Sequence, residues 1–336
     1  MKKRRPLSMT RKERIEAAIR GDMTDRIPFT FWGEPSLKSR DPEIRGQETL
    51  DFYHRFPVDL LKTIHPSFCS AEAFGALFDE EGKRTESLVK EAKDWGQVEP
   101  VSVNEGILLQ EQNYIKYILD HTGGEVPVLF TVISPFTTAF MLDPHLLDHI
   151  REGKGEWVKE GLESITETTC ALVQQIIRLG ADGIFLEADR ASYDLLDEKI
   201  YREYGMPYDL AVLSSSSGWC NVVRGGGKNI MFPLLRKYPA DIFSWQSDES
   251  LPTLEMASFM MDKCIMTGLS ACHISKGNKN EIDRDIYESI KTTGGRRFIL
   301  SPGEAVHPIR PDIIHFLLRE KEEMEKRAMS KGNWTC

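Results

Sequence analysis

Glu304 and His307 stand three residues apart in a stretch where the short apolar run Phe298, Ile299, Leu300 follows paired glycines and is stopped by Pro302 and Gly303. The run reads as a strand, and both ionisable residues fall on the loop at its carboxyl end, where a carboxylate could orient an imidazole for proton transfer. Comparable positions recur. Glu187 closes the run Ile184, Phe185, Leu186 with Asp189 and Arg190 just beyond it, and His273 follows Cys272 after the run Cys264 to Leu269. Glu187, His273, Glu304 and His307 are therefore the candidate catalytic residues. Arg224, ending the run from Asn221, could hold an anionic group through its planar fork or pair with an acid such as Asp248. Trp32, Trp219 and Trp245 offer indole faces to an aromatic or cationic ligand. Trp32, Arg224, Trp245 and Asp248 make up the candidate substrate-binding set. Each has a structural alternative: core packing for the tryptophans, a helix cap for Asp189, a backbone hydrogen bond for the loop histidine. A metal held by Glu187, His273, Glu304 or His307 is chemically reasonable, since carboxylate and imidazole bind zinc.

The elements that must position these groups alternate along the chain. An amphipathic helix near Arg11 to Arg20 precedes a strand over 25–32, and apolar strand candidates follow at Val58 to Ile64, Val126 to Ile133, Ile184 to Leu186, Asn221 to Arg224, Asp241 to Trp245, Cys264 to Leu269 and Phe298 to Leu300. Helical periodicity separates them, longest over Glu156 to Leu179, with others near Asn229 to Lys237, Leu251 to Met261, Glu281 to Thr292 and Pro311 to Glu325. Such alternation predicts a parallel sheet of βαβ units. About eight units, with no GxGxxG fingerprint after the first strand, favour a distorted (β/α)8 TIM barrel over an open dinucleotide-binding sheet. The expected organisation is one domain over 1–336, with an N-terminal extension (1–24), an irregular insertion near the barrel mouth (66–104) and a tail (326–336).

Composition narrows the function classes. A formal charge of -9 and a pI near 5.5 argue against nucleic-acid binding, and Lys2 to Arg5 reads as a solvated basic tail. No apolar run reaches the roughly 18 residues of a membrane span. The six cysteines lack a CxxC pair, as expected of reduced thiols in a cytoplasmic protein.

Several pieces resemble the uroporphyrinogen decarboxylase superfamily in the expected order: Met9 to Arg14 with Asp25-Arg26-Ile27-Pro28, Ile133 to Thr137, Gly180 to Ile184, Phe243-Ser244-Trp245 and Phe298 to Gly303. The resemblance implies a distorted TIM barrel and either decarboxylation of tetrapyrrole acetates or methyl transfer involving a corrinoid. True decarboxylases of this family carry an Arg-Gln-Ala-Gly-Arg segment after the first strand, and Phe31-Trp32-Gly33-Glu34-Pro35 stands there instead. An aromatic and an acid supply no cationic fork for a polycarboxylate. Thiol-directed methyltransferases of the superfamily hold zinc through a His-x-Cys pair and a Cys in the last Ser-Pro-Gly loop. Arg224, Gly226 and Glu304 occupy those positions. The resemblance that remains implies a donor-side enzyme, passing a methyl group from a small O-methyl or N-methyl compound to the corrinoid (cobalamin) of a partner corrinoid-binding protein. A homodimer is also expected. The alternatives are a decarboxylase or lyase using Arg224 as carboxylate anchor, and a catalytically inactive binding barrel.

Overall fold

The computed structural model describes residues 8–34, 39–64, 68–79 and 82–330. Seven parallel strands pair in chain order: β1 (Leu61–Lys62), β2 (Val128–Ile133), β3 (Gly183–Ala188), β4 (Val222–Gly225), β5 (Ile242–Ser244), β6 (Cys264–Gly268) and β7 (Phe298–Ser301). Their register runs Leu61 beside Val128, Phe130 beside Ile184, Phe185 beside Val222, Val223 beside Phe243, Phe243 beside Ile265 and Met266 beside Ile299. The strand expected over 25–32 is reduced to single bridges, Phe29 with Leu300 and Gly33 with Val306. Pro28 lacks an N–H, so this segment pairs through its carbonyl, which accepts from Leu300, and through Thr30 Oγ1, which donates to the Leu60 carbonyl. On the other side, the Asp59 N–H donates to the Phe29 carbonyl. The irregular segment thus bonds to β7 and to the chain entering β1, which closes the curled sheet into the expected distorted barrel.

Alternation along the strands decides what faces inward. Leu60, Leu129, Phe185, Val222, Ile242, Met266 and Ile299 cluster with Ile15 and Ala18 of α1 (Arg11–Arg20), the helix that plugs the amino end of the barrel. The intervening residues, such as Phe130, Val132, Ile184, Leu186, Phe243, Phe298 and Leu300, pack outward under the helices. One inward step further along six of the seven strands lie Lys62, Thr131, Glu187, Arg224, Ser244 and Ser301, with Gly268 at that step on β6. The apolar interior therefore ends in a polar layer at the carboxyl rim, the end where enzymes of this fold place their chemistry.

Two ion-pair systems hold the irregular closing segment. Arg14, buried on α1, donates to both oxygens of Asp25 and to Asp59, while Arg26 makes a bidentate pair with Asp59 and the Phe29 N–H adds a third donor. At the far end of the chain, Lys321 Nζ donates to the Ile27 carbonyl (3.1 Å) and to Glu325 (2.9 Å), which in turn accepts from the Ile27 N–H (2.9 Å). The helix carrying them runs Pro311–Ser330, past the Glu325 end read from sequence; 331–336, the rest of the expected tail, and Lys2 to Arg5 lie outside the described residues.

The 66–104 insertion touches the carboxyl rim where Thr138 Oγ1, on the helix Pro135–Leu142 that follows β2, donates to Ser70 Oγ at 2.9 Å. Its 3-10 helix Ala92–Gln97 lies against the outer helix Gly155–Leu179, where Gly161 leaves room for the Trp95 ring; a Cβ there would come within 2.5 Å of it. The buried tryptophan fixes this 3-10 helix, the later part of the insertion, on the barrel flank. Among the described residues, no helix is long and apolar enough to cross a membrane.

Candidate active site

Two ion pairs occupy the carboxyl rim. Lys62 Nζ donates to Glu187 Oε1 at 2.9 Å and lies 4.2 Å and 4.7 Å from the ring centroids of Phe185 and Trp32. Its side chain is only 7% exposed, and burial lowers the ammonium pKa while Glu187 opposes the shift. Arg224 Nη1 donates to Asp189 Oδ1 at 2.6 Å and its Nε to the Gly303 carbonyl at 2.9 Å. Burial works against the guanidinium charge, but Asp189, Glu187 and Glu304 together hold its pKa above the ordinary value.

The Ser301-Pro302-Gly303 loop presents that carbonyl because Gly303 sits at φ 72°, with its α-carbon against the Trp245 carbonyl; a Cβ would lie 2.1 Å from that oxygen. The Gly303 N–H donates back to Ser301 Oγ. Burial raises the pKa of Glu304 on the same loop; Arg224 opposes this, and Glu249, Asp248 and Asp189 add to it. Asp189 is likewise raised by burial, with Arg224 lowering and Glu187 raising it. Carboxyls of this kind can keep a proton nearer to neutral pH than free ones and can give it to a leaving atom.

The sequence-derived candidates separate on inspection. Glu187, Arg224 and Glu304 come together. His273 occupies the first turn of the helix Ala271–Lys276, whose N-cap is Ser270; its Nδ1 is 2.9 Å from Asp285 Oδ2, which also accepts from the Ser270 N–H. The imidazole is thereby oriented by a carboxylate of the next helix. Asp248 is exposed on its loop and close enough to raise both Asp285 and Glu304.

His307 does not join Glu304. Val306 turns inward, bonded through its N–H to the Trp32 carbonyl and fully buried, so His307 turns out. It is 66% exposed, with Nδ1 3.6 Å from Glu34. Trp245 is no pocket wall in this structure: it is 0% exposed, donates from Nε1 to the Pro252 carbonyl and packs on Phe243 and Phe232. Trp219 lies at the opposite barrel end, with Nε1 on Asp182 and Lys12 over its ring. Trp32 does face the rim, edge-on to Phe185.

The zinc site of the thiol-directed relatives does not fit this rim. Arg224 is committed to Asp189, and a Cβ on Gly226 would lie 2.2 Å from Asp189 Oδ1, so the carboxylate fills the space a cysteine would need. Cys220, the nearest alternative thiol in sequence, is fully buried at the start of β4, and burial pushes its pKa well up. Among the described residues, no group of three or more His, Cys, Asp or Glu could hold a metal, so the metal site considered for Glu187, His273, Glu304 and His307 does not assemble.

Lys62 and Asp285 escaped the sequence reading. Lys62 carried a signal: a lysine within Leu60-Leu61-Lys62-Thr63-Ile64, in phase with inward Leu60. Asp285, within a helix that is polar on its outer face, carried none.

The sequence pattern of the uroporphyrinogen decarboxylase (URO-D) family matches residues 10–317, and the chain belongs to that family. Methylcobamide:CoM methyltransferase MtbA of Methanosarcina acetivorans is 24% identical over 231 residues, covering 61% of this chain and 66% of that protein. The Methanosarcina mazei protein of the same name is 24% identical over 227 residues with the same coverage, so the match spans just under two thirds of each relative. Among solved structures, a methyltransferase from Methanosarcina mazei superposes with a TM-score of 0.82 over 95% of this chain and 100% of that one, at 17% identity. A B12-independent methionine synthase from a Shewanella species reaches 0.61 over 90% and 94%, at 13% identity. The structural matches bear out the TIM-barrel fold.

Proposed function

We propose that the chain is a methyltransferase of the donor side, moving a methyl group from a small O-methyl or N-methyl compound to the corrinoid of a separate partner protein. One observation carries the choice: Arg224, at one of the three positions where the family resemblance implies a zinc ligand, is paired with Asp189, whose carboxylate also abuts Gly226 at the second. The methylcobamide-dependent relatives support methyl transfer as the class of chemistry. The partner's corrinoid supplies the methyl acceptor. This chain's part is to hold the donor at the rim and manage the leaving group. Burial raises the pKa of Glu304 at the rim; Lys62 pairs with Glu187; Arg224 holds Asp189 as its ion-pair partner and the Gly303 loop through its carbonyl. Trp32 and Phe185 wall the site against water. The carboxylate-lyase reading is less favoured, because Arg224 spends Nη1 and Nε on Asp189 and Gly303 and keeps only its other N–H donors for a substrate carboxylate. The proposal includes a cytoplasmic location and a homodimer.

The test is spectroscopic: purified protein, a reduced corrinoid carrier, and a panel of methyl ethers and methylamines. Methylcobalt formation with one donor class supports the reading. No methylation across the panel, with the corrinoid demonstrably reduced, refutes it.

A further inference from the structure

Beside the rim, between the end of β1 and the helix Pro42–Arg55, lies a cavity of about 150 Å³. Its walls include four aromatic rings, Phe31, Trp32, Phe52 and Tyr114, and two buried cations, Arg45 and Lys62. Trp32 and Lys62 also belong to the rim, so cavity and barrel mouth share a boundary. That volume is close to the size of cavity that accepts a single benzene ring, and aromatic walls favour a planar ring.

The charges select among ring and non-ring ligands. Arg45 makes a bidentate pair with buried Glu111 and stacks 4.1 Å over the Tyr114 ring, which fixes it as part of the wall. Lys62 is different: one oxygen acceptor, Glu187, meets its ammonium among the described residues, and its other close neighbours are the faces of Trp32 and Phe185. An ammonium has three N–H donors, so Lys62 can still donate to a ligand oxygen. The carboxylates on the cavity wall, Glu34 and Glu48, are both exposed, whereas the cations are buried. A quaternary ammonium would have to lie between two buried positive groups.

We propose that this cavity binds one aromatic ring bearing an oxygen directed at Lys62 and, resting on the methyl-transfer reading, that the ring is the leaving group of an aryl methyl ether. In the step, the bond between oxygen and methyl carbon breaks with its electron pair left on oxygen. The methyl group passes to the partner's reduced corrinoid, and the Lys62 ammonium gives a proton to the phenolate. Lys62 regains its proton from solvent after release.

The experiment is calorimetric titration of phenol, anisole and tetramethylammonium into wild-type protein, Lys62→Met and Ile309→Trp, the last filling the cavity from its wall. Phenol and anisole should bind one per chain and tetramethylammonium should not. Ile309→Trp should abolish ring binding, and Lys62→Met should weaken phenol about tenfold to a hundredfold, the worth of one hydrogen bond to a charged donor. Absence of ring binding to the wild type, unchanged binding to Ile309→Trp, or uptake of tetramethylammonium in place of the rings overturns the assignment. Should Lys62→Met fail to fold, the wild-type and Ile309→Trp titrations decide alone. Phenol binding without cobalt methylation from anisole supports the ring site and refutes the aryl methyl ether as the methyl donor. Methylation by a protein that binds no phenol keeps the enzyme reading and overturns this one.

Discussion

Asp209 gives the most quantitative prediction. It is fully buried on the helix Met206–Ser215, with Tyr201 and Tyr238 both donating to Oδ2. Burial raises its pKa from 3.8 to about 6, although hydrogen bonds from Tyr201, Ser134 and Tyr238 favour the anion. A carboxyl whose pKa is higher in the folded state binds its proton more tightly there, so folding loses stability as pH rises from the unfolded value through the folded one. At about 1.36 kcal/mol per pH unit, the full penalty is roughly 3 kcal/mol; roughly 1 kcal/mol of it is present at pH 4.5 and nearly all at pH 7.5. Asp209→Asn keeps an oxygen where both phenols donate and removes the titration. Urea unfolding of both proteins between pH 4.5 and 7.5 should therefore show the variant gaining about 2 kcal/mol on the wild type as pH rises. A difference that stays flat, or shrinks with pH, refutes the claim that this buried carboxyl resists ionisation.

At the rim, Gly226→Ala places a methyl group against Asp189 Oδ1, so Asp189 should leave Arg224; activity with the donor found in the panel should fall at least tenfold, while thermal unfolding shifts by no more than a few degrees. Gly303→Ala combines a left-handed φ with overlap on the Trp245 carbonyl and should lower stability by about 2 kcal/mol or more in urea unfolding. Arg224→Lys keeps the charge but cannot reach Asp189 and the Gly303 carbonyl with the same fork; kcat should drop with the fold intact by circular dichroism. Lys321→Met leaves Glu325 buried with one fewer partner and should destabilise by roughly 3 kcal/mol, read as a lowered urea midpoint.

The barrel was legible because its strands obey one rule: both faces are buried, so they appear as short continuous apolar runs punctuated by Gly and Pro. The motifs that carry the family resemblance are largely devices of that same architecture. Gly183 is where the backbone meets the Cys220 carbonyl, within 1.9 Å of any Cβ, and Asp182 beside it accepts from the Val128 N–H and from Trp219. Arg14, Arg26 and Asp25 converge with Asp59 to clamp the closing segment, a grouping no local pattern announces because Asp59 stands 33 residues beyond Arg26.

Reading a site is a different problem, for strand-end position fixes where a residue sits but not which way the next one turns. Glu187 and Arg224 follow from alternation, since each lies two positions beyond an inward apolar residue, Phe185 and Val222. Glu304 and His307 lie on a loop with no such period, and there a single backbone bond from Val306 to Trp32 sends them to opposite sides. Trp245 fails for a related reason: the inward step that would expose it belongs to Ser244, so the indole is fixed outward beneath the helices. The same alternation also reveals what the motifs left out. Lys62 is the one residue of β1 in phase with inward Leu60, and an ammonium in that phase must meet either a carboxylate or a ligand. It meets Glu187 and borders the cavity, so the residue with no motif around it joins the rim's charge network to the space where a donor can lie.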